Sequence, residues 1–148
     1  MTAEVHYGHV ATVPVHFDDL DAMGIVHNSR YAVMLERALT AFWSERGHSF
    51  ADGRGTTTDV FNAVREFAIT YHRPINHTGE VTVHFWLDRL GDTSAVYGFR
   101  FASQDLSTVY AEGRRVVVKL DPVTMRPARW SEGARSVAAT LLAPAPVR

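Results

Sequence analysis

Hydrophobic residues repeat with a helical period near the N-terminus and with a period of two along much of the remaining chain. Residues 28–47 read NSRYAVMLERALTAFWSERG. Apolar side chains return there every three or four residues, which predicts one amphipathic helix. Asn28 or Ser29 can cap its start and Gly47 its end. The apolar stripe is wide and aromatic, so we expect deep burial of its members, which are Tyr31, Met34, Leu35, Ala38, Leu39, Phe42 and Trp43.

Alternating apolar and polar residues predict a series of strands. The first covers residues 9–17, with Val13, Val15 and Phe17 on one face. Pro14 has no N–H to donate, which favours an edge position or a bulge. After a glycine- and threonine-rich loop, HSFADGRGTTT, alternation returns in four consecutive segments separated by turn-forming residues. These segments lie at residues 60–72, 81–87, 95–101 and 109–121.

The order of these elements predicts an antiparallel α+β fold, with a sheet long enough to curl around the helix. Residues 130–142 form a candidate terminal helix and residues 143–148 a frayed tail, within a single domain spanning residues 1–148. One helix covers only one face of the sheet. We expect a second copy of the chain to cover the opposite face, because it is also apolar. That face includes Trp86, Val96, Val116, Val118 and Leu120.

Composition narrows the class of protein. The chain has 148 residues, of which 46% are hydrophobic and 21% charged, as in a globular domain. A net charge of −1 without a basic tail argues against a nucleic-acid partner. The lack of cysteine excludes disulfides and thiolate metal sites, and no apolar run in the sequence is long enough to cross a membrane. We therefore expect a cytoplasmic protein without a metal ion or another cofactor.

The candidate chemistry lies in the turn between the first strand and the helix. Residues 15–31 read VHFDDLDAMGIVHNSRY, with Asp18, Asp19 and Asp21 shortly before the helix. Carboxylates at such a place commonly interact with the positive end of the helix dipole or form ordinary turns. A carboxylate beside the free N–H groups of a helix start can also hydrolyse a carbonyl substrate. The residues alone leave both interpretations open.

Three stretches of the chain resemble one family of enzymes. They are FDDLDAMGIVHNSRYAVMLERA, the pattern Y-x-R-P-x-x-x-x-G-E-V-x-V at residues 71–83, and AEGRRVVVKLDPVTMRPARW. They resemble the hotdog-fold thioesterases, specifically the 4-hydroxybenzoyl-CoA thioesterase-like branch. The resemblance implies a long central helix wrapped by a five-stranded antiparallel sheet. It also implies a homodimer, often paired into a homotetramer, with active sites at the subunit interface.

The resemblance also implies roles for individual residues. Asp21 matches the catalytic carboxylate, which attacks the thioester or activates a water. Asn28 matches the position whose backbone N–H polarises the thioester carbonyl. Tyr31 and Glu36 match positions near the site. Asp19 and its neighbour Asp18 are expected to be structural.

Two residues near the proposed carboxylate have open roles. His27 can donate a proton to the leaving thiolate or orient a water, and a histidine at this place is more often a packing or hydrogen-bonding residue. Glu36 is either a solvated charge paired with Arg37 or Thr40, or a buried polar group that supports the site.

The expected substrate is an acyl thioester of coenzyme A or of an acyl carrier protein. The aromatic residues Tyr31, Phe61 and Tyr71 are expected to shape the acyl pocket. Several coenzyme A-dependent members of the family carry basic residues at the tip between the third and fourth strands, whereas this tip, RLGDTS, carries Asp92. Arg73 is the candidate substrate-binding arginine, with Arg54, Arg89 and Arg100 as alternatives for contacting phosphate.

Two rival functions stay open at this point. A hotdog hydratase or dehydratase, acting on enoyl or 3-hydroxyacyl thioesters, would use a histidine and a carboxylate as acid and base. His27 and Asp21 could nominally do so, although their spacing does not resemble the motifs of those enzymes. The other rival is a non-catalytic protein that binds acyl thioesters. The chain has neither a phosphate-binding Gly-Lys-Ser/Thr loop nor a Gly-x-Ser-x-Gly elbow, so nucleotide and serine-hydrolase chemistry have no support.

Overall fold

A computed structural model describes residues 4–144 of the chain. It consists of two α-helices, one long antiparallel sheet and a short hairpin. In chain order the elements are β1 (His9–Val15), α1 (Arg30–Ser44), β2 (Phe50–Ala51), β3 (Arg54–Gly55), β4 (Asn62–Tyr71), β5 (Gly79–Leu90), β6 (Ser94–Ala102), β7 (Val109–Lys119) and α2 (Glu132–Ala139).

Five strands form the main sheet in the order β1-β5-β6-β7-β4, and every neighbouring pair is antiparallel. α1 packs its apolar stripe against one face of this sheet and forms one core with it. The stripe is buried as predicted, except that Trp43 is half-buried. The predicted fold class, a long helix wrapped by five antiparallel strands, is therefore confirmed.

The first strand ends earlier than predicted. β1 stops at Val15, and Phe17–Asp19 form one turn of 3-10 helix. Val13 and Val15 enter the core with 3% exposure each, whereas Phe17 is 84% exposed. Side chains alternate between two faces only while the backbone stays extended. The turn breaks that alternation, so the prediction that Phe17 shares a face with the two valines is wrong.

The strand predicted at residues 60–72 is shorter and less regular. Phe61 precedes β4, and the pairing of β4 with β7 shifts register between Val64 and Glu66. A bulge adds one residue to one strand, so the alternation before it does not continue beyond it. β4 lies at the edge of the sheet, with β7 as its neighbour on one side.

The two ends of α1 differ in how well the sequence predicted them. Ser29 occupies the N-cap position, but neither it nor Asn28 caps the helix with its side chain. The predicted capping is therefore wrong, and the Ser29 Oγ instead lies 2.8 Å from Nδ1 of His27. At the other end the Gly47 N–H donates to the Ser44 carbonyl at 3.2 Å. Gly47 has a φ of 92°, a conformation that glycine adopts readily and that is typical just after a helix. This geometry agrees with its predicted place at the end of α1.

The C-terminal segment closes over the sheet. α2 lies within the predicted range 130–142, and the Ser131 Oγ accepts the Ala134 N–H at 3.1 Å as an N-cap. The Ala143 N–H donates to the Leu87 carbonyl at 2.9 Å, so this first residue of the predicted tail is held. Residues 145–148 of that tail lie outside the described residues. No helix within residues 4–144 is long and apolar enough to span a membrane.

The sheet face opposite α1 carries the second apolar surface, and its predicted members are half-buried. Trp86 packs over Gly98 of β6, where an added Cβ would lie 2.3 Å from the indole ring. Glycine is therefore required beneath this tryptophan. The cover of this face by a second copy of the chain stays a prediction.

Candidate active site

Asp21 begins a tight turn that folds back on itself. The Asp21 N–H donates to the Ile25 carbonyl at 2.8 Å, and the Gly24 N–H donates to the Asp21 carbonyl at 2.9 Å. Gly24 has a φ of 75°, which glycine adopts at little cost. The Asp21 Oδ1 accepts the N–H of Met23 at 2.8 Å and that of Ile25 at 3.4 Å. One carboxylate oxygen thus fixes the turn, while Oδ2 has no hydrogen-bond partner within residues 4–144.

Asp19 ties this turn to the start of the helix. It is fully buried, and its Oδ1 accepts a hydrogen bond from Nε of Arg30, the first residue of α1, at 2.8 Å. Its Oδ2 accepts the His16 N–H at 2.8 Å, and its carbonyl accepts the His27 N–H at 2.9 Å. Burial by itself would raise the pKa of Asp19, but the His16 N–H and the Arg30 guanidinium outweigh it and hold that pKa below its ordinary value. The structural role expected for Asp19 is present in these contacts.

In the described part of the chain, the backbone N–H of Asn28 is a free donor at the helix start. The Arg30 N–H donates to the His27 carbonyl at 2.9 Å, and the Ser29 N–H donates to Nδ1 of His27 at 3.0 Å. The Asn28 N–H between them has no acceptor within residues 4–144. Asn28 is exposed, so this N–H is available to a ligand at the positive end of α1.

His27 is oriented by the same local contacts. Because the Ser29 N–H can only donate, Nδ1 of His27 must be its acceptor, and the proton of the neutral ring is on Nε2. The ring is exposed beside Asn28. It therefore offers an N–H donor beside the N–H of Asn28, while its contacts with Ser29 are those of a hydrogen-bonding residue.

One cleft of about 540 Å³ collects most of the predicted site residues. Tyr31 lies at its base, is 2% exposed, and packs edge-on against Tyr71 with ring centroids 5.1 Å apart. Burial and the neighbouring Tyr71 raise the pKa of Tyr31 to about 12, so it stays a neutral hydroxyl. The cleft is lined by Asp21, Met23, Ile25, Val26, His27, Asn28, Tyr31, Tyr71, His72, Arg73 and Pro74.

A second, larger space of about 780 Å³ lies along the C-terminal half of α1, and we call it the cavity. It contains the other two predicted residues, Glu36 and Phe61, and shares no lining residue with the cleft. Glu36 pairs with Arg115 of β7, so the predicted pairing with Arg37 or Thr40 is wrong. The Glu36 side chain is 55% exposed, so it is not the buried polar group of the alternative prediction either.

The proposed phosphate contacts are spread over the surface. Arg73 lines the cleft, as a substrate-binding residue should. Arg100 instead pairs with Glu112 at 3.5 Å, with its guanidinium 5.1 Å from the Trp86 ring. At the tip of β5 and β6, Asp92 is 3.9 Å from the exposed Arg129, so a cation does lie beside the tip. Among residues 4–144, no three His, Asp or Glu side chains come together as metal ligands would.

A family model matches much of the sequence, beginning just after Asp21. Residues 23–110, more than half of the chain, match the family model of the thioesterase superfamily. The chain belongs to the thioesterase superfamily. The predicted recognition is confirmed, and with it the prediction of an enzyme.

Individual relatives agree with this assignment. The chain is 28% identical over 115 residues to the acyl-CoA thioester hydrolase YbgC of Escherichia coli, an alignment that covers 78% of this chain and 84% of that protein. Its fold is similar to that of the PA5185 protein of Pseudomonas aeruginosa, with a TM-score of 0.82, 22% identity and 95% of both chains covered. It is also similar to the fold of the DHNA-CoA thioesterase of Staphylococcus aureus, with a TM-score of 0.73 and 20% identity over 90% of this chain and 91% of that one.

The sequence reasoning missed two charged residues on the core face of β7. Arg115 and Lys119 are 8% and 6% exposed, and they lie on the same face of β7 as the buried Val117. Each lies two residues from that valine, so the alternation of the strand already placed both on its core face. Charged residues are rare at such positions without partners, which could have indicated an ion pair. Lys119 donates to Oδ1 of Asp59 at 3.0 Å.

Asp59 connects the loop before β4 to α2. Its Oδ1 also accepts the Ser131 N–H at 2.8 Å, and its Oδ2 accepts the Ser131 hydroxyl at 2.6 Å. Burial would raise the pKa of Asp59, but the Ser131 bonds and the Lys119 ammonium outweigh it and lower that pKa. We call Asp59, Lys119 and Ser131 the latch, since they hold one wall of the cavity in place.

Proposed function

We propose that this chain hydrolyses acyl thioesters of coenzyme A, releasing a free acid and a thiol. One observation carries the proposal: Asp21 and Asn28 border the same cleft at the start of α1, and among residues 4–144 neither Oδ2 of Asp21 nor the N–H of Asn28 has a hydrogen-bond partner. The E. coli relative is named an acyl-CoA thioester hydrolase, which supports the substrate class. An acyl carrier protein is the alternative carrier, since its thioester has the same reacting atoms.

Asp21 supplies the attacking oxygen. In one route Oδ2 attacks the thioester carbon, the C–S bond breaks, and water then hydrolyses the mixed anhydride. In the other route Oδ2 takes a proton from a water that attacks the same carbon. Both routes yield the same acid and thiol. The bonds that Met23 and Ile25 donate to Oδ1 leave Oδ2 as the reactive oxygen in either case.

Asn28 stabilises the negative charge that develops on the carbonyl oxygen. Its backbone N–H lies at the positive end of α1, and one such donor contributes about 2.7–4 kcal/mol in the transition state. His27, whose neutral ring carries its proton on Nε2, acts next to it as the donor to the leaving sulfur. Tyr31, Tyr71 and Arg73 bind the substrate around these groups.

The two remaining predicted residues reach the substrate across a dimer. Val64 in the cavity and Tyr71 in the cleft are seven residues apart on β4, or roughly 23 Å at about 3.3 Å per residue, so along this strand the two spaces lie well apart within one protomer. β4 is an edge strand that can pair with a second copy. Antiparallel pairing about its midpoint would set Asn62 opposite the partner's Tyr71. The cleft of one protomer would then open beside the cavity of the other.

This arrangement gives the acyl group a site. The thioester would lie in one cleft, and the acyl chain would enter the adjoining cavity, past Glu36 and Phe61. A homodimer is therefore the unit of function in this proposal. A homotetramer would cover the apolar outer face of the sheet as well. The cytoplasmic location stays a prediction from the sequence.

A thiol-release screen tests the proposed activity directly. The purified protein is incubated with a panel of acyl-CoA and acyl-carrier-protein thioesters, and free thiol is measured with a chromogenic reagent. We expect release from at least one class. Hydration of a crotonyl thioester without thiol release would instead support the hydratase, and binding without either reaction would support the non-catalytic protein.

A mixing experiment tests the shared site. Asp21→Asn removes the carboxylate from one chain, and Thr40→Trp fills the cavity of another, since Thr40 lines it. Co-expression of the two variants should recover activity that neither has alone, because one site of each heterodimer combines an intact Asp21 with an open cavity. If each site lay within one protomer, the mixture would stay inactive.

A further inference from the structure

The cavity is mostly apolar, but the ion pair between Arg115 and Glu36 borders it. Arg115 projects from the core face of β7 and is 8% exposed. Glu36 reaches the guanidinium from α1, and both residues line the cavity. The surrounding walls are formed largely by apolar and aromatic side chains, including Leu39, Trp43, Val64, Leu87, Tyr97 and Val117.

Glu36 satisfies only part of the guanidinium. The ion pair is made by Nη1 of Arg115, whereas its Nε is buried and has no hydrogen-bond partner within residues 4–144. Arginine keeps its charge in proteins and has five N–H donors but no acceptor. Buried donors are nearly always paired, so a buried arginine with an unpaired N–H beside a cavity indicates a missing acceptor.

The charges around the guanidinium restrict what that acceptor can be. Arg115 and Glu36 together are neutral, so a carboxylate on the acyl group would be repelled by Glu36. A neutral oxygen, by contrast, accepts a hydrogen bond from arginine without displacing the glutamate. A wholly hydrocarbon chain would offer no acceptor and would bury the guanidinium further.

We infer that the cavity selects acyl groups that carry a neutral oxygen, a carbonyl or a hydroxyl, which accepts a hydrogen bond from Arg115. This inference rests on the proposed thioesterase function, since it concerns the acyl group of that reaction. A site with a buried polar group discriminates strongly against an analogue that cannot pair with it. The protein therefore prefers oxo- or hydroxyacyl thioesters over saturated ones of equal length.

Matched substrates test the inference in the unaltered protein. One saturated straight-chain acyl-CoA is compared with analogues of the same chain length that carry one oxo or hydroxyl group at successive carbons. A hydrogen bond to a charged group predicts that kcat/KM for the best oxygen-bearing analogue exceeds that for the saturated chain by at least about tenfold. Equal or lower values for every analogue would overturn the inference.

A variant assigns any preference to Arg115. Arg115→Met is combined with Glu36→Gln, so that no carboxylate is left without its partner. Arg126→Met is the control, because Arg126 is exposed in the turn after β7. The double variant should lose the preference, with kcat/KM for the oxygen-bearing substrate falling to that for the saturated one; the control should keep the preference. An equal fall for both substrates would show a merely structural role and refute the inference. If the double variant does not fold, Arg115→Lys should reduce the preference, and an unchanged preference would refute it.

A binding experiment distinguishes failure of this inference from failure of the proposed function. Thioether analogues of the same acyl-CoA pair cannot be hydrolysed, and their binding is measured by calorimetry. Tighter binding of the oxygen-bearing thioether would support the selection by Arg115 even without thiol release. Equal binding of the two thioethers, with or without turnover, would overturn it.

Discussion

The cleft and the cavity differ in how far along the chain their polar contacts reach. In the cleft, Asp21 bonds to the N–H groups of Met23 and Ile25, and His27 bonds to Ser29, so these contacts span four residues or fewer. In the cavity wall, Lys119 bonds to Asp59 across 60 positions. The turn that carries Asp21 is therefore local, although the Tyr71 hydroxyl also donates to the Asn28 carbonyl from 43 positions away, whereas the cavity exists only once the whole sheet has formed.

The comparison predicts that the cleft carries the chemistry. Asp21→Asn removes the charge of the proposed nucleophile or base while keeping a side-chain oxygen that can hold the turn. Loss of such a group typically lowers the rate by about 10²–10⁴-fold, so thiol release should fall by that factor. Steady-state kinetics on the best substrate of the screen measure the change.

Asp18→Asn is the matched control for this variant. Asp18 lies three residues earlier in the same acidic turn and is exposed. It should keep near-normal turnover, and both variants should show the thermal unfolding of the unaltered protein. Full activity of Asp21→Asn would refute its assignment.

A substitution in the latch, unlike Asp21→Asn, should strongly lower the stability of the fold. Asp59→Ala leaves the Lys119 ammonium buried without its carboxylate. Breaking a buried pair in this way costs about 3–5 kcal/mol, which chemical denaturation would measure as a lower free energy of unfolding. Asp92→Ala is the control, because the Arg129–Asp92 pair is 80% and 73% exposed and contributes little. Equal losses in the two variants would argue against a latch.

The same difference in contact range explains what the sequence could predict. The helix, the strands and the acidic turn follow from periodicity and from residues close together in the chain. Six predicted site residues line one cleft, among them Asp21, Asn28 and Tyr31, because they lie around the start of α1 or at the end of β4. The choice of Asp21 among three neighbouring carboxylates came from a resemblance of motifs, and its catalytic role stays a proposal.

Long-range pairing could not be predicted in the same way. No local pattern joins Glu36 to Arg115, since their contact depends on the register of β7 against the sheet and on the packing of α1. The bulge between Val64 and Glu66 is a further example, because it changes which residues of β4 share a face. Such features require the assembled sheet, although charged residues at core positions of β7 did signal that partners must exist.

Asp19 joins the local turn before α1 to the first residue of the helix through its bond to Arg30. Its contribution to the free energy of unfolding should depend on pH. Its pKa is lower in the folded protein than in the unfolded chain, so the unfolded chain binds its proton more readily. The stability that it adds is present above the ordinary aspartate pKa of about 3.9 and is lost as the pH falls through the lower folded value. Asp19→Asn should cost about 1–3 kcal/mol at neutral pH, because Arg30 and the His16 N–H lose a charged acceptor.

Denaturation at several pH values checks this dependence. The difference in unfolding free energy between the unaltered protein and Asp19→Asn should stay constant at neutral pH and shrink below about pH 4. A difference that does not change with pH would mean that the charge of Asp19 is not what stabilises the turn.

Gly24→Ala should have the smallest effect and the most local one. Nothing lies within 4 Å of the Cβ that the change adds, so the cost arises from the backbone alone. Gly24 has a φ of 75°, where an L-residue is disfavoured by about 1–2 kcal/mol. Because the turn holds Asp21, we expect a modest loss of thermal stability together with a lower kcat on the best substrate.

Gly53→Ala is the matched control, since Gly53 has the same φ of 75° and equally open surroundings but lies in the β2–β3 hairpin. It should cost similar stability without lowering kcat, and an equal fall in kcat for both variants would contradict a specific role of the Asp21 turn.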